Sequence, residues 1–185
     1  MWVKNKIQQR PINSQHPKTY QHGQILKVGD EEYLLNISYH DKKSSKSFLK
    51  ENQISIILSK AISEEKQHEH ISQLLSKTIA VKKYPFIQEK LHSLNKNYFQ
   101  QPIHSISLKN TSSKWGSCSS EGKICLSTRL LFAPEKVIDY VCIHELSHLI
   151  EPNHSSKFWN IVEKIVPDYK DQKRWLKVHG ELCRF

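Results

Sequence analysis

The chain has 185 residues, which suits one domain that can bury a hydrophobic core without disulfide bonds. Its hydrophobic fraction of 37%, with four Trp, seven Tyr and six Phe, excludes a disordered chain. The formal net charge of +10 comes mostly from scattered lysines, which is typical of a solvated surface. A site for a polyanion is the alternative interpretation of this charge.

The N-terminal residues and the cysteines indicate a reducing compartment. Residues 1–6 lack the apolar segment of a secretion signal, and no apolar run approaches the ~20 residues that span a bilayer. No Cys-x-x-Cys pair is present, so free and mostly buried thiols are expected. We predict a cytoplasmic protein without a membrane partner. The cysteines are Cys118, Cys125, Cys142 and Cys183.

The first part of the chain is predicted to be rich in β-strands. Residues 1 to about 20 are polar, contain prolines and are expected to be irregular. The first two apolar segments after them flank Gly29-Asp30, a pair that favours a hairpin turn. A polar segment, 41–47, precedes the third apolar segment. The predicted strands are Gln24–Val28, Tyr33–Ile37 and Gln53–Leu58.

The segment after the predicted strands has helical periodicity. Ser63 and the glutamates after it are typical of a helix start, and Ile71, Leu75 and Ile79 keep helical spacing. Pro85 is expected to interrupt this helix, because proline removes a backbone donor. A separate helix is predicted from about 86 to 98.

The remainder of the chain is predicted to contain three strands and then three helices. Ile103–Leu108 alternates apolar and polar residues, and the turn 119–122 separates two further short strands. Pro134 fits the first turn of a helix. The strands beside the turn are predicted at 113–118 and 123–126, and the helices at about 134–151, 155–165 and 171–182.

The predicted helix at 134–151 carries the pattern His-Glu-x-x-His. The helix is apolar around almost its whole circumference and is therefore expected to be buried. His144 and His148 are four residues apart and share one face, where both imidazoles could bind one zinc ion. Glu145 flanks that ion, where it could act as general base on a zinc-bound water. A bound cation would offset the cost of burying the carboxylate.

His154 is the predicted third ligand, since a catalytic zinc usually has three protein ligands. Pro152 predicts a turn after the helix, and this turn would direct His154 back towards the metal. Glu163 and Glu151 are the alternative ligands. The same His spacing occurs in metzincins, but these need a Gly where Glu151 stands and a later Met-turn. The chain has one Met, at position 1, so a metzincin is excluded.

Candidate substrate-site residues flank the motif. A strand at 113–118 could hold an extended substrate through main-chain hydrogen bonds. Gly116 would permit close approach of another backbone. For Trp115, a plain core aromatic residue is the favoured interpretation. Three further residues are candidates for proton donor or transition-state stabiliser by residue type: Lys114, Tyr140 and Tyr169.

The order of these residues resembles the YgjP-like metallopeptidase-type zinc hydrolases. The resemblance is specific from about residue 103 to residue 182 and loose upstream. It is carried, in chain order, by Trp115-Gly116-Ser117-Cys118, Gly122, Leu126, Pro134, Tyr140-Val141, His144-Glu145-Leu146-Ser147-His148, Asn153-His154-Ser155, Phe158-Trp159, Pro167-Asp168-Tyr169, Trp175-Leu176 and His179-Gly180.

The resemblance implies an α+β fold with a zincin-like core, a small mixed β-sheet and a C-terminal helical part that carries the metal site. A single domain over residues 1–185 is expected, with a β-rich part at about 20–60 and the catalytic part at about 62–185. The family pattern implies zinc on His144, His148 and His154, with Glu145 as general base. Another divalent transition metal could replace zinc on such ligands.

The substrate is left open between a peptide and a nucleotide. A nucleoside triphosphate pyrophosphatase activity, notably toward UTP, has been attached to members of the family, and a basic chain suits a phosphate-bearing substrate. Two positions depart from the family pattern. Lys114 stands where an Arg is usual, and Ser127 stands where an Asn is common. Lysine cannot form the bidentate fork of arginine, so substrate specificity could differ.

Two alternatives involve nucleic acid, which is the less favoured partner. SprT-like proteases share the His-Glu-x-x-His helix and a later His, and they act near nucleic acid. They often carry a Cys-rich zinc ribbon, and the four cysteines of this chain lack ribbon spacing. The other alternative is a non-catalytic, metal-stabilised module that binds a polyanion.

Overall fold

The structure, a computed structural model, describes residues 20–185. The described part combines two mixed β-sheets with helices, which confirms the predicted α+β class. The irregular segment predicted before Tyr20 lies outside the described residues. The strands are β1 (Gln24–Val28), β2 (Glu31–His40), β3 (Lys46–Lys50), β4 (Gln53–Ser59), β5 (Ser105–Lys109), β6 (Gly116–Cys118) and β7 (Lys123–Ser127). The helices are α1 (Glu64–Leu94), α2 (Glu135–Ser147), α3 (Ser156–Ile165) and α4 (Tyr169–His179).

The first sheet has the strand order β1-β2-β4-β3. The predicted hairpin is confirmed: β1 and β2 are antiparallel, and Gly29 between them has a positive φ of 61°. β2 and β4 are parallel, and β3 pairs antiparallel with β4 at the other edge. β3 was not predicted, because its half-exposed edge position leaves only a weak apolar signal.

Helix α1 continues through Pro85, so the prediction of two helices separated there is wrong. Proline removes the hydrogen bond to the carbonyl of Val81, but Val81 is 73% exposed and water can replace that bond. Ile79, Ile87 and Leu91 are fully buried on the same helix. Burial of these side chains offsets the lost hydrogen bond and keeps the helix continuous.

The second sheet has the order β5-β7-β6, with β5 parallel to β7 and β6 antiparallel to it. The predicted strand near 103–108 and the predicted hairpin around 119–122 are both confirmed, with shifted bounds. β6 is an edge strand: its outer edge pairs with no other strand of residues 20–185. β6 lies against α2, which also packs on α1, α3 and α4.

Helix α2 is buried, as its composition predicts. Pro134 precedes it and Glu135 lies in its first turn, where a carboxylate favours the positive end of the helix dipole. The helix ends at Ser147, earlier than the predicted 151, and residues 148–150 form a turn before Pro152. Its buried apolar side chains are Val137, Ile138, Val141, Cys142, Ile143 and Leu146.

Buried apolar side chains of residues 20–185 form a cluster that draws on both sheets and all four helices. All four cysteines are free, as predicted, and Cys142 and Cys183 are buried. None of the described helices has the length and apolar composition that crossing a membrane requires.

Candidate metal centre

Three histidines converge at the C-terminal end of α2. One ligand atom from each of His144, His148 and His154 lies within 4.8 Å of the others. The Nε2 atoms of His144 and His154 are 3.0 Å apart. Nitrogen atoms at these separations could all bind a single ion, since zinc bonds imidazole nitrogen at about 2.0–2.1 Å.

Local structure explains how the three rings meet. His144 and His148 lie one turn apart on α2, so their side chains share a face. His154 lies in the loop that follows, directly before α3. The hydroxyl of Ser155 caps α3 by accepting a hydrogen bond from the backbone N–H of Phe158, at 3.4 Å. This cap fixes the start of α3 directly after His154.

The surroundings of the rings also suit a bound cation. Nδ1 of His148 lies 3.2 Å from the carbonyl oxygen of Glu151, an arrangement that leaves Nε2 of His148 free for an ion. The ring of Phe158 lies 4.6–4.9 Å from all three imidazole rings and covers one side of the cluster. Nδ1 of His144 is buried and has no hydrogen-bond partner among the described residues.

Burial and mutual repulsion keep two of the three rings neutral. Burial, with the nearby His148, His154 and Lys173, lowers the pKa of His144 to about 3. Burial, His148 and Lys173 also lower the pKa of His154. Neutral imidazoles offer the lone pairs that bind metal ions, so these two rings can bind a cation without first losing protons.

Glu145 lies beside this cluster and is buried, with 5% of its surface exposed. Burial raises the pKa of its carboxyl to about 7, and the nearby Lys114 only partly counteracts that effect. A carboxyl group with a pKa near neutrality can both accept and donate a proton at working pH.

Strand β6 approaches Glu145 closely at Gly116. A Cβ atom at position 116 would lie 2.5 Å from Oε1 of Glu145, so a side chain there would force the carboxylate to move. Sequence analysis singled out Gly116 for close approach of a backbone, but the group that approaches it is the carboxylate of Glu145.

Neither alternative ligand belongs to the histidine cluster. Glu163 lies on α3 with Oε1 3.9 Å from Nζ of Lys170. Glu151 contributes its carbonyl oxygen to His148, and its carboxylate lies 3.9 Å from Nζ of Lys157.

A groove of about 750 Å³ opens beside His144 and Glu145. Four of the five predicted substrate-site residues line it: Lys114, Trp115, Gly116 and Tyr140. The fifth, Tyr169, is buried and stacks on Trp159 at 5.2 Å. Tyr140 is only 4% exposed, and burial, with Tyr169 and Glu145, raises its pKa to about 12, so its hydroxyl stays protonated.

Arg129 and Gly180 both lie against the ring of Trp115. The guanidinium of Arg129 lies 4.5 Å from the centre of the indole, and a Cβ atom at Gly180 would lie 2.6 Å from the ring. Arg129 is buried and donates hydrogen bonds to the carbonyl oxygens of Ser112, Gly180 and Cys183. The C-terminal segment is thereby tied to the chain entering β6. Sequence analysis missed Arg129, because nothing local marks it as buried.

Sequence analysis also missed the cations that line the groove from α4. They are Lys170, Lys173, Arg174 and Lys177. Positions 173, 174 and 177 lie three, four and seven residues after position 170, so all four cations share one helix face. This spacing was the signal in the sequence that could have revealed them. The basic residues were instead interpreted as a scattered, solvated surface.

Comparison with known proteins identifies the family. The family model described as YgjP-like, metallopeptidase domain, matches residues 1–179, and the chain belongs to this family. The match extends well upstream of residues 103–182, where the sequence resemblance is specific. A search of curated proteins found no match.

Two crystal structures of metallopeptidase zymogens are similar to this chain. Abylysin of Pyrococcus abyssi has a TM-score of 0.46 and 27% identity, with 53% of this chain and 96% of that chain covered. Jannalysin of Methanocaldococcus jannaschii has a TM-score of 0.44 and 22% identity, with 52% and 96% covered.

Family membership supports a metal-dependent hydrolase of the metallopeptidase type and implies a divalent metal, typically zinc. It favours the YgjP-like interpretation over the SprT-like alternative. Nothing in these comparisons points to a nucleotide or a nucleic acid as partner.

Proposed function

We propose that this chain is a zinc-dependent peptidase in which His144, His148 and His154 hold the metal and Glu145 is the general base. The observation that carries the proposal is the convergence of three imidazoles within 4.8 Å beside a buried glutamate. The proposed enzyme is a single domain over residues 1–185. Its catalytic part is residues about 62–185, preceded by the β-rich part at about 20–60.

The ligand set favours zinc. Three imidazole ligands leave one coordination position open, which is the arrangement of catalytic zinc sites. A bound zinc ion would supply Lewis-acid activation of water and of the substrate carbonyl. Mn, Co or Ni could occupy the same ligands, so the native metal is part of the test.

Glu145 would accept a proton from the attacking water and deliver it to the amine that leaves when the peptide C–N bond breaks. Its pKa of about 7 suits both steps, because the group binds and releases a proton near neutral pH. The contact with Gly116 limits where the carboxylate can lie.

The outer edge of β6 would hold the substrate. An extended peptide can add to a free strand edge through main-chain hydrogen bonds. Gly116 begins this strand and lines the groove beside Glu145. A peptide paired with β6 would therefore pass next to the general base.

The test compares unstructured peptides with nucleoside triphosphates, UTP included, as substrates of zinc-loaded protein with and without chelator. We expect peptide hydrolysis that requires metal and no hydrolysis of UTP. Glu145→Gln should keep its zinc and lose about 10²–10⁴-fold in kcat. Hydrolysis of UTP alone, or undiminished turnover by Glu145→Gln, would overturn the proposal.

A further inference from the structure

The groove beside the metal centre is strongly basic. Five cationic side chains line it, and Glu145 is the one acidic residue among the described residues that do so. Lys114 stands on the β6 side of the groove, and the other four cations project from α4. All five are exposed. They are Lys114, Lys170, Lys173, Arg174 and Lys177.

The four cations of α4 form a row. Positions 170, 173, 174 and 177 follow helical spacing and therefore share one face of the helix. From position 170 to 177 the helix rises about 10.5 Å, at 1.5 Å per residue. An extended peptide advances about 3.3 Å per residue, so the row matches roughly three substrate residues.

These cations are only weakly neutralised within the protein. Lys170 is 3.9 Å from Glu163, and Arg174 is 4.0 Å from Asp171, both long and exposed pairs. Lys173 lies 5.0 Å from the centre of the Trp159 ring. Lys177 forms no ion pair with any of residues 20–185. Positive charge along the groove is therefore available to a ligand.

We propose that the basic face of α4 selects polypeptide substrates with acidic side chains at alternate positions on one side of the cleaved bond. This inference rests on the proposed peptidase function. Successive side chains of an extended peptide point to opposite sides. When its backbone pairs with β6, every second side chain faces α4, and a Glu-x-Glu pattern meets the row of cations.

The groove fits a peptide better than a nucleic-acid strand. Single-stranded nucleic acid is held by stacking its bases on open aromatic rings. Trp159 is covered by His154 and Tyr169, at 5.7 and 5.2 Å between ring centres. Trp115 is covered by Arg129 and contacted by Gly180, and Tyr140 is buried. Protein groups therefore already contact each of these rings where a base would stack, whereas β6 offers a free strand edge.

The first experiment uses quenched fluorescent peptides of equal length with the zinc-loaded full chain. In the first set, Glu stands at alternate positions on one side of the cleaved bond. In the second set, Glu stands at alternate positions on the other side. In the third set, Gln replaces Glu. We expect kcat/KM about tenfold higher for one Glu set than for Gln, and not for the other. The preference for Glu should shrink in 1 M salt, where the Debye screening length is about 3 Å.

The second experiment exchanges the charge of the helix face. Lys173→Glu/Lys177→Glu should lose the preference for Glu and hydrolyse peptides with Lys at the same positions better than wild type does. The control Lys66→Glu/Lys77→Glu makes the same change in net charge on exposed residues of α1 and should keep the preference for Glu. A gain on Lys peptides requires a folded enzyme, so it cannot result from unfolding.

The outcomes separate the two proposals. If wild type hydrolyses Glu and Gln peptides equally, the acidic preference is wrong and the peptidase function stands. If it hydrolyses no peptide, both proposals fail. If Lys173→Glu/Lys177→Glu lowers the affinity for a single-stranded oligonucleotide in fluorescence anisotropy but leaves peptide selectivity unchanged, the groove binds nucleic acid and the inference is overturned.

Discussion

Gly116 of β6 and Glu145 of α2 are packed so closely that a Cβ atom at position 116 would lie 2.5 Å from the carboxylate oxygen Oε1. The absence of a side chain at 116 therefore sets where the proposed general base can lie. The two residues come from different elements, the edge strand and the site helix, and their contact couples the proposed substrate edge to the proposed base.

Gly116→Ala should displace the Glu145 carboxylate while leaving the histidines in place. We expect kcat/KM on a peptide substrate to fall by roughly 10²-fold, since a misplacement near 1 Å has that effect. Zinc content, measured by elemental analysis, should match wild type. Ser117→Ala, the next residue of β6, adds no atom and should keep full activity. Full activity of Gly116→Ala would show that the carboxylate position is not critical.

Loss of a residue that only hydrogen-bonds to a metal ligand weakens metal binding roughly 10–100-fold. His154→Ala should weaken zinc binding by more than this. The mutation removes one of the three proposed ligands, while His154 is exposed and its loss leaves the core intact. Competition with a chromogenic chelator measures the affinity. Glu163→Ala removes the alternative ligand and should bind zinc like wild type. The opposite pattern would assign the third ligand to Glu163.

The histidine cluster could be predicted because its signal is local. Two histidines four residues apart share a helix face wherever the helix lies, and a turn at Pro152 brings the next histidine back within a few residues. The burial of α2 also followed from its composition. The continuity of α1 through Pro85 did not, because it depends on what Ile87 and Leu91 contact in the folded chain.

Tertiary contacts explain why the other features of the site could not be predicted from the sequence. Position 116 and Glu145 are far apart in sequence, so their contact depends on how β6 packs against α2. The cations of α4 have a clear helical spacing, but that spacing alone does not tell whether the face borders a groove or open solvent. Buried Arg129 looked like any other basic residue, since its carbonyl partners are Ser112 and two residues more than fifty positions downstream.

Arg129→Ala should destabilise the fold by about 3 kcal/mol, because it leaves three carbonyl oxygens without their charged donor and removes the cation above Trp115. Urea unfolding followed by Trp fluorescence measures the change. Arg129→Lys should recover only part of the loss, since lysine lacks the planar fork of donors. Lys77→Ala, an exposed control on α1, should stay within about 0.5 kcal/mol of wild type. Equal stability of Arg129→Ala and wild type would contradict this role.

Lys90 connects α1 to the site helix. Its Nζ donates to the carboxylates of Glu135 at 2.8 Å and Asp139 at 2.5 Å, both on α2, and 12% of the lysine side chain is exposed. Burial alone would lower the pKa of Lys90, but the hydrogen bonds to Asp139 and Glu135 outweigh it and the net pKa is raised. The hydrogen bond from Lys90 also lowers the pKa of Glu135.

These shifts set the pH range in which the bridge stabilises the fold. The depressed pKa of Glu135 gives a contribution that is present above the unfolded value of about 4.3 and is lost as pH falls through the folded value. The raised pKa of Lys90 gives a stabilising contribution that is fully present below the unfolded pKa of about 10.4. This contribution is lost as pH rises through the pKa of Lys90 in the folded state. The bridge should therefore be strongest between about pH 5 and 10.

Lys90→Met, which keeps the apolar stem, should lower the free energy of unfolding most near pH 7 and progressively less below about pH 4.5. Urea unfolding of both proteins across this range gives the difference, in which the pH dependence of metal binding largely cancels. Lys77→Met on the exposed side of α1 is the matched control and should show no such pH-dependent difference. A destabilisation by Lys90→Met that is constant from pH 3 to pH 7 would mean that the lysine acts through its stem alone.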